Sequence, residues 1–303
     1  MYALIIIGGS AAATSAGVYA ARRGLNFKII TKEFGGEVAT SGEIGNWPGV
    51  SKTDGITLAG QFKEHLKYYG VEPEEGIEVE KVLVEPDGSF LIKSNNGNYA
   101  AKTVIITTGV HPRELGVPGE KEFRNKGVSY CTVCDGPLFA GKVVATVGGG
   151  NSALESALML SDIANKVYVI NKNPAFKGDQ ILIDNLNKKN NVEVVYNAKT
   201  SQVGGGEFVT GLKYVDEAGQ KKELSVEGIF VHIGMVPNSG LVPDEVAKDQ
   251  FGQIKVNANC ETNIPGLYAA GDVTDVPFKQ IIIAAGQGTI ALLSAISYLN
   301  RQK

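Results

Sequence analysis

The chain has 303 residues, 43% of them apolar and 20% charged, with a formal net charge of −3. That length allows two domains and a sizeable core, and the balanced charge gives no electrostatic basis for binding nucleic acid or an anionic membrane. No apolar run reaches the roughly 20 residues of a membrane span, the opening "ALIII" lacks a signal peptide's length and basic flank, and three cysteines are too few for a secreted disulfide framework, so the expected setting is the cytoplasm.

In chain order, "YALIII" (2–7) reads as a buried strand, "GGSAAA" as a turn, the small-residue stretch to Arg23 as a helix and Phe27–Ile30 as a second strand. This is a βαβ unit. β-rich sequence follows, "EKVLVEPDGSFLIKSNNGNYAAKTVIITTG", with turn chemistry at "PDGS" and "NNGN". The plan recurs at 142–170: "KVVATV" as strand, "GGGNSA" as turn, "ALESALML" as helix and "KVYVI" as strand. Another β-rich stretch, "FVTGLKYVDEAGQKKELSVEGIFVHIG", closes that half. The tail predicts a strand in "GLYAAGDVTD" and then a helix in "KQIIIAAGQGTIALLSAISYL", loosened by Gly286 and Gly288. The tail has no partner sheet of its own, so it returns to the first half. The expected fold class is α/β: two Rossmann-like dinucleotide-binding domains, each a βαβ core with a three-stranded β-meander, the first discontinuous. The expected boundaries are 1–112 with 240–303, and 113–239. The crossings fall in "VHPRELGVPG" and "GMVPNSG", both rich in Pro and Gly.

A dinucleotide fold needs glycine where the chain turns tightly and where backbone approaches a pyrophosphate, then a small residue where helix meets strand. The helix N-terminus supplies N–H donors for the phosphates. Gly148-x-Gly150-x-x-Ala153 fits this pattern, and Gly8-x-Ser10-x-x-Ala13 fits with serine in the middle place. Two such turns at matching places in a repeat point to two dinucleotides. A flavin plus a nicotinamide makes an electron path.

"CTVCDG" supplies an acceptor for that path. Zinc normally takes four N or S ligands, and Cys131–Cys134 stands alone, with Cys260 isolated and His65, His111 and His232 without ligand spacing. No metal site is expected. A static staple across so short a loop stabilises little. A redox pair is the reading that remains, with Asp135 either a proton donor and acceptor or a turn aspartate.

CxxCD between two dinucleotide turns, with "GGEVATSGEIGNWPG" early and "GLYAAGDVTDVPFKQIIIAAGQG" late, resembles the low-molecular-weight thioredoxin reductases. It is also similar to the flavoprotein core of alkyl hydroperoxide reductase. The likeness covers nearly the whole chain. Peroxiredoxin-reducing relatives carry an extra N-terminal disulfide domain, and this chain opens on its first βαβ, so the thioredoxin reductase reading is preferred.

The resemblance implies FAD in the first domain, held by Gly8, Ser10, Ala11 and Ala13 of the turn. Gly36, Glu37 and Asn46 would lie near the flavin, with Gly109, Gly271 and Asp272 at the ribityl and phosphate side. Lys279, Gln280 and Ile281 would bring the last helix N-terminus to the isoalloxazine ring. NAD(P)H would sit on Gly148, Gly150, Asn151, Ser152 and Ala153; Lys172 joins them from this chain's own sequence, where it departs from the family pattern. Cys134 would face the flavin, Cys131 would attack the protein substrate and Asp135 would handle the proton. Similar enzymes swing the second domain between two poses, and the crossings would be the hinges. A homodimer follows by analogy only.

One departure concerns the nicotinamide. NADPH users of this family carry a His-Arg-Arg cluster after the second strand, whereas NADH users place an acid there. This chain reads "VYVINKNPAFKGD", with Asn171 at the acid position and Lys172 and Lys177 nearby. Lysine meets a phosphate as a point charge, which leans the reading to NADPH over NADH. The expected activity is a thioredoxin reductase acting on a thioredoxin-like protein. The alternatives are a reductase of a peroxiredoxin or its adaptor, a flavin-disulfide reductase fed by another donor, and a redox sensor without turnover.

Overall fold

The computed structural model describes residues 1–41 and 43–302, with Glu43 described by its backbone alone. The chain divides into two units: Met1–His111 with Val236–Lys303, and Pro112–Met235. Both divisions fall slightly before the expected boundaries.

The chain begins in unit 1 with β1 (Tyr2–Ile7), α1 (Ala11–Arg22) and β2 (Phe27–Ile30). A short hairpin of β3 (Glu43–Ile44) and β4 (Thr53–Asp54) leads into α2 (Gly55–Tyr68). Asp54 caps α2, accepting from the Thr57 N–H at 2.9 Å. The meander is β5 (Val79–Val84), β6 (Phe90–Ser94) and β7 (Gly97–Ile106), and β8 (Val110–Pro112) begins the crossing. "NNGN" makes the tight turn, with Ser94 opposite Gly97 and Gly97 at φ +100°.

Strand β7 does two jobs. It pairs antiparallel with β6 and parallel with β1, joining meander and βαβ core into one sheet. Alternate residues of β1 enter opposite layers: Leu4 and Ile6 face α1, whereas Ile5 and Ile7 pack with Val104 and Phe90. All four are at most 3% exposed. This is why the strand reads as an unbroken apolar run rather than an alternating one.

Unit 2 holds β9 (Val128–Ser129), α3 (Thr132–Asp135), β10 (Val143–Val147), α4 (Asn151–Ser161), β11 (Lys166–Ile170), α5 (Gln180–Leu186) and β12 (Val192–Val195). Then come β13 (Lys199–Gly205), β14 (Val209–Val215), β15 (Lys221–Ser225) and β16 (Gly228–Val231). Five parallel strands run in the order β12-β11-β10-β16-β9, and β13-β14-β15 form a separate antiparallel sheet. The sequence pattern reads the last three β runs of this half alike. In the structure β16 joins the parallel sheet, and the third meander strand is β13, "KTSQVGG". Its polar and glycine composition and two register shifts, between Thr200 and Gln202 and between Gly204 and Gly205, hide the usual alternation.

The chain leaves through β17 (Met235–Pro237), which pairs with β8, and returns to unit 1 as β18 (Leu267–Ala269) beside β7. It ends in α6 (Ile281–Arg301), which corrects two expectations. The helix is unbroken from Ile281 to Arg301, and Gly288 within it is a contact point: a Cβ there would lie 2.1 Å from the Ala12 carbonyl oxygen. Glycine is what lets α6 approach α1 so closely. At 21 residues, α6 is also long and apolar enough, by length and composition, to cross a membrane. Its inner face, Ala291, Leu292 and Ala295, is fully buried with α1 in the core of unit 1.

Candidate functional site

The first glycine turn is built by close approach. Gly8 has φ +128°, and a Cβ there would sit 2.3 Å from the Thr107 carbonyl oxygen. A Cβ on Gly9 would lie 2.8 Å from the Thr31 side chain. Ser10 is the N-cap of α1 but does not cap it with its side chain; its hydroxyl donates to the Gly35 carbonyl at 2.6 Å. The first-turn N–H groups of α1 are therefore left without a side-chain acceptor, as an anion cradle requires. Ala11 and Ala13 are buried behind it.

Two of the other expected flavin residues of unit 1 pack against this turn and the helix it opens. Gly36 (φ +52°) lies against Ser10, and Gly271 (φ +80°) lies against Ala12 and Ala284. The Gly271 N–H donates to Gln287 at 2.8 Å. Gln280 is the N-cap of α6, just before Ile281, and its carboxamide accepts from Asn46 at 3.1 Å. Gly109 is committed to the crossing, its carbonyl accepting from the Asn238 N–H at 3.0 Å. Two carboxyl groups of this unit are half-buried. Burial pushes Glu37 up, and the field of Asp272 pushes it further. Burial raises Asp272 as well, against the pull of Lys279. Lys279 turns its ammonium inward to the Thr274 carbonyl, and desolvation at that end lowers it.

Glu33 was missed by sequence reasoning. It follows β2 roughly twenty residues past the turn, where a ribose-binding acid belongs. Thr31, under Gly9, donates to its carbonyl at 2.7 Å.

In unit 2 the second turn repeats the construction. A Cβ on Gly148 would lie 2.1 Å from the His232 carbonyl oxygen, and one on Gly149 would lie 2.5 Å from the Asn171 side chain. Gly150 caps α4 without a side-chain bond, Asn151 and Ser152 open its first turn, and Ala153 is fully buried. Asn171 is itself fully buried. Its carboxamide accepts from the Asn173 N–H at 3.0 Å and donates to the Ala175 carbonyl at 3.1 Å. Its amide thus organises the loop after β11. The same loop clasps the turn: the Lys177 N–H donates to Gly149 at 2.7 Å, and Asn151 exchanges hydrogen bonds with Asp179. Lys172 and Lys177 remain exposed.

Cys131 and Cys134 form a disulfide with their Cα atoms 5.4 Å apart. Cys131 is the N-cap of α3, and the Cys134 N–H points at its Sγ from 3.1 Å. The half-buried Asp135 donates its N–H to the Cys131 carbonyl at 3.1 Å. The residues flanking Cys131 are anchored inward. Tyr130 donates to the buried Glu120 carboxylate at 2.7 Å, and the Leu115 and Gly116 N–H groups donate to that carboxylate as well. On the other side the Thr132 hydroxyl lies 2.8 Å from His232 Nε2 and 2.6 Å from the Ser156 hydroxyl. Cys260, in unit 1, is buried, and burial pushes its thiol up to about 11, which suits a core residue.

His232 is largely buried, and burial pushes it down from 6.5 to about 4. Between those values the unfolded chain binds a proton that the folded chain refuses. The stability this site contributes is therefore complete above 6.5 and lost as pH falls through about 4. In urea titrations the parent is expected to lose about 2 kcal/mol more between about pH 7 and pH 5 than His232→Gln does. Equal losses would show that His232 is accessible to protons in the fold.

The model of the family described as "Pyridine nucleotide-disulphide oxidoreductase" matches residues 2–288. The NADH dehydrogenase of Bacillus subtilis (strain 168) is 42% identical over 98% of this chain and 58% of its own length. The F component of the alkyl hydroperoxide reductase of Escherichia coli (strain K12) is 41% identical over 100% of this chain and 59% of its own length. The chain thus spans somewhat more than half the length of the curated relatives it matches. Among solved structures, the thioredoxin reductase of Lactococcus lactis in its FR conformation superposes with a TM-score of 0.91 at 30% identity, over 99% of this chain and 100% of that one. Two glycine-turn units and a CxxC disulfide agree with these matches, and the chain belongs to the pyridine nucleotide-disulphide oxidoreductase family.

Proposed function

We propose that the chain is a flavin-dependent disulfide reductase, most simply a thioredoxin reductase, that moves two electrons from NAD(P)H through Cys131–Cys134 to the disulfide of a thioredoxin-like protein. The observation that carries this reading is the disulfide itself, on the unit that also bears the second dinucleotide turn. FAD fits unit 1, where glycine at 8 and 9 lets the turn pack tightly against Thr107 and Thr31 and the start of α1 is left without a side-chain cap to receive a pyrophosphate. Glu37 and Asp272 would receive its hydroxyl groups, with Glu33 at the ribose. When bound, a flavin supplies a two-electron carrier between a hydride donor and a disulfide.

The chain's own sulfurs do the exchange. The Cys131 thiolate attacks the partner disulfide and forms a mixed disulfide, and one partner thiolate leaves. The Cys134 thiolate then attacks Cys131 Sγ, which restores the internal disulfide and releases the partner as a dithiol. Asp135 is the proton carrier beside Cys134. Anaerobic addition of NADPH or NADH to the yellow protein, followed by thioredoxin, tests the whole reading. Flavin absorbance that neither nucleotide bleaches would exclude the nicotinamide donor.

A reductase of a peroxiredoxin or its adaptor is the second reading, favoured by the 41% identity to the Escherichia coli alkyl hydroperoxide reductase component. Rates with each partner decide between them. A cytoplasmic setting and a homodimer belong to the same proposal.

Nicotinamide preference follows from the exposed Lys172 and Lys177. Exposed ion pairs are worth about 0.2–1 kcal/mol each, so with two of them kcat/KM should favour NADPH over NADH by about thirtyfold or less. The double change Lys172→Ala with Lys177→Ala should bring that ratio near one. A parent ratio above about 100 would require a phosphate grip that point charges do not provide.

A further inference from the structure

We infer that His232 is a positioning residue for the redox pair, acting through Thr132 to lock the cysteine turn onto the framework of the dinucleotide turn. The inference rests on the redox reading of Cys131–Cys134 given above.

Thr132 lies between the two cysteines and is 5% exposed. Its hydroxyl meets His232 on one side and Ser156 on the other, and Ser156 meets the fully buried Thr146 at 3.3 Å. Each contact comes from a different part of the frame. His232 follows β16, and its backbone N–H donates to the Val147 carbonyl at 2.8 Å. Its own carbonyl lies against Gly148. Ser156 is on α4, the helix that the glycine turn opens, and Thr146 is on β10. One hydroxyl in the motif is thus tied to the strand and helix flanking the dinucleotide turn.

The chemistry of the contact is specific. A neutral imidazole has one donor and one acceptor nitrogen, and a hydroxyl donates once while accepting from others. Whichever tautomer His232 holds, Thr132 can complete a chain of bonds with both neighbours. Removing the Thr132 hydroxyl leaves His232 Nε2 and Ser156 Oγ facing an apolar surface, a cost that a loosened turn relieves.

The consequence falls on the sulfur equilibrium. A turn held from below keeps Cys131 and Cys134 poised after their bond opens, so their effective concentration toward each other stays high. Loosening the turn gives the dithiol more conformations and shifts the balance toward it.

The test equilibrates the holoenzyme with mixtures of reduced and oxidised dithiothreitol. In this exchange one dithiothreitol thiolate opens the Cys131–Cys134 bond. The second then closes the dithiothreitol ring, so two electrons enter the pair. Acid quenching and maleimide labelling, read by mass, report the reduced fraction at Cys131 and Cys134. Thr132→Val and His232→Leu are each expected to favour the dithiol by about tenfold, a potential about 30 mV higher. Thr132→Ser and His232→Gln keep a hydroxyl and an amide in place and should stay within about twofold of the parent. The double variant Thr132→Val with His232→Leu should move no further than either change alone. Midpoints unmoved by the two disruptive changes, or shifts that simply add, would overturn the inference. Flavin content and urea midpoints taken on the same samples separate a loosened turn from a misfolded chain. The equilibrium uses neither nicotinamide nor a protein substrate, so failure of the proposed activity is read separately.

Discussion

Cys134→Ser is expected to leave the flavin reducible by nicotinamide while thioredoxin reduction falls at least about 10³-fold. The reason is the order of the exchange steps. The Cys134 N–H sits 3.1 Å from Cys131 Sγ, so the two side chains share one tight turn. With serine at 134, Cys131 can still attack a partner disulfide, but no second sulfur lies close enough to resolve the product. The mixed disulfide therefore accumulates, and mass spectrometry should find the partner bound through Cys131. Cys260 offers no rescue, because it is buried in the other unit. A Cys134→Ser protein turning over at the parental rate would remove the internal pair from the reaction altogether.

Gly8→Ala should have the largest effect on cofactor retention. An alanine at φ +128° is already strained by about 1–2 kcal/mol. Its methyl would also stand 2.3 Å from the backbone oxygen of Thr107, a residue whose N–H donates to the Ile7 carbonyl at the end of the β1–β7 pair, so that this oxygen cannot swing away as a side chain would. The turn must open, and the start of α1 moves with it. The purified variant is expected to be nearly colourless and destabilised by about 3 kcal/mol or more. Gly24→Ala is the control: its φ is +61°, but nothing lies within 4 Å of the added methyl. It should cost about 1 kcal/mol and keep its flavin. If both variants retain flavin equally, the Gly8 turn is not part of the cofactor cradle.

Much of this was legible before any coordinates. The paired apolar strands, the two glycine turns and the CxxC motif are all local patterns, each with its own physical requirement. Glu33 carried a readable signal too, an acid soon after β2, but within "TKEFGG" it reads equally as an exposed turn residue. Strand β13 gave no such signal, since its polar residues and glycines satisfy no period. Gly288 looked like a helix defect, because the sequence does not show that Ala12 will lie beneath it. By sequence Asn171 stands only at the position of the NADH users' acid; in the structure it is buried against Gly149, with its amide turned to the loop backbone.

The order of residues alone determined the two dinucleotide turns and the redox pair, because tight turns, helix starts and short sulfur loops depend on neighbours a few places apart. Tertiary structure alone decided that His232 reaches Thr132 and that Glu37 lies in the field of Asp272. These partners are distant along the chain, and only the paired strands and the helices packed on them bring such groups within hydrogen-bond or Coulomb range.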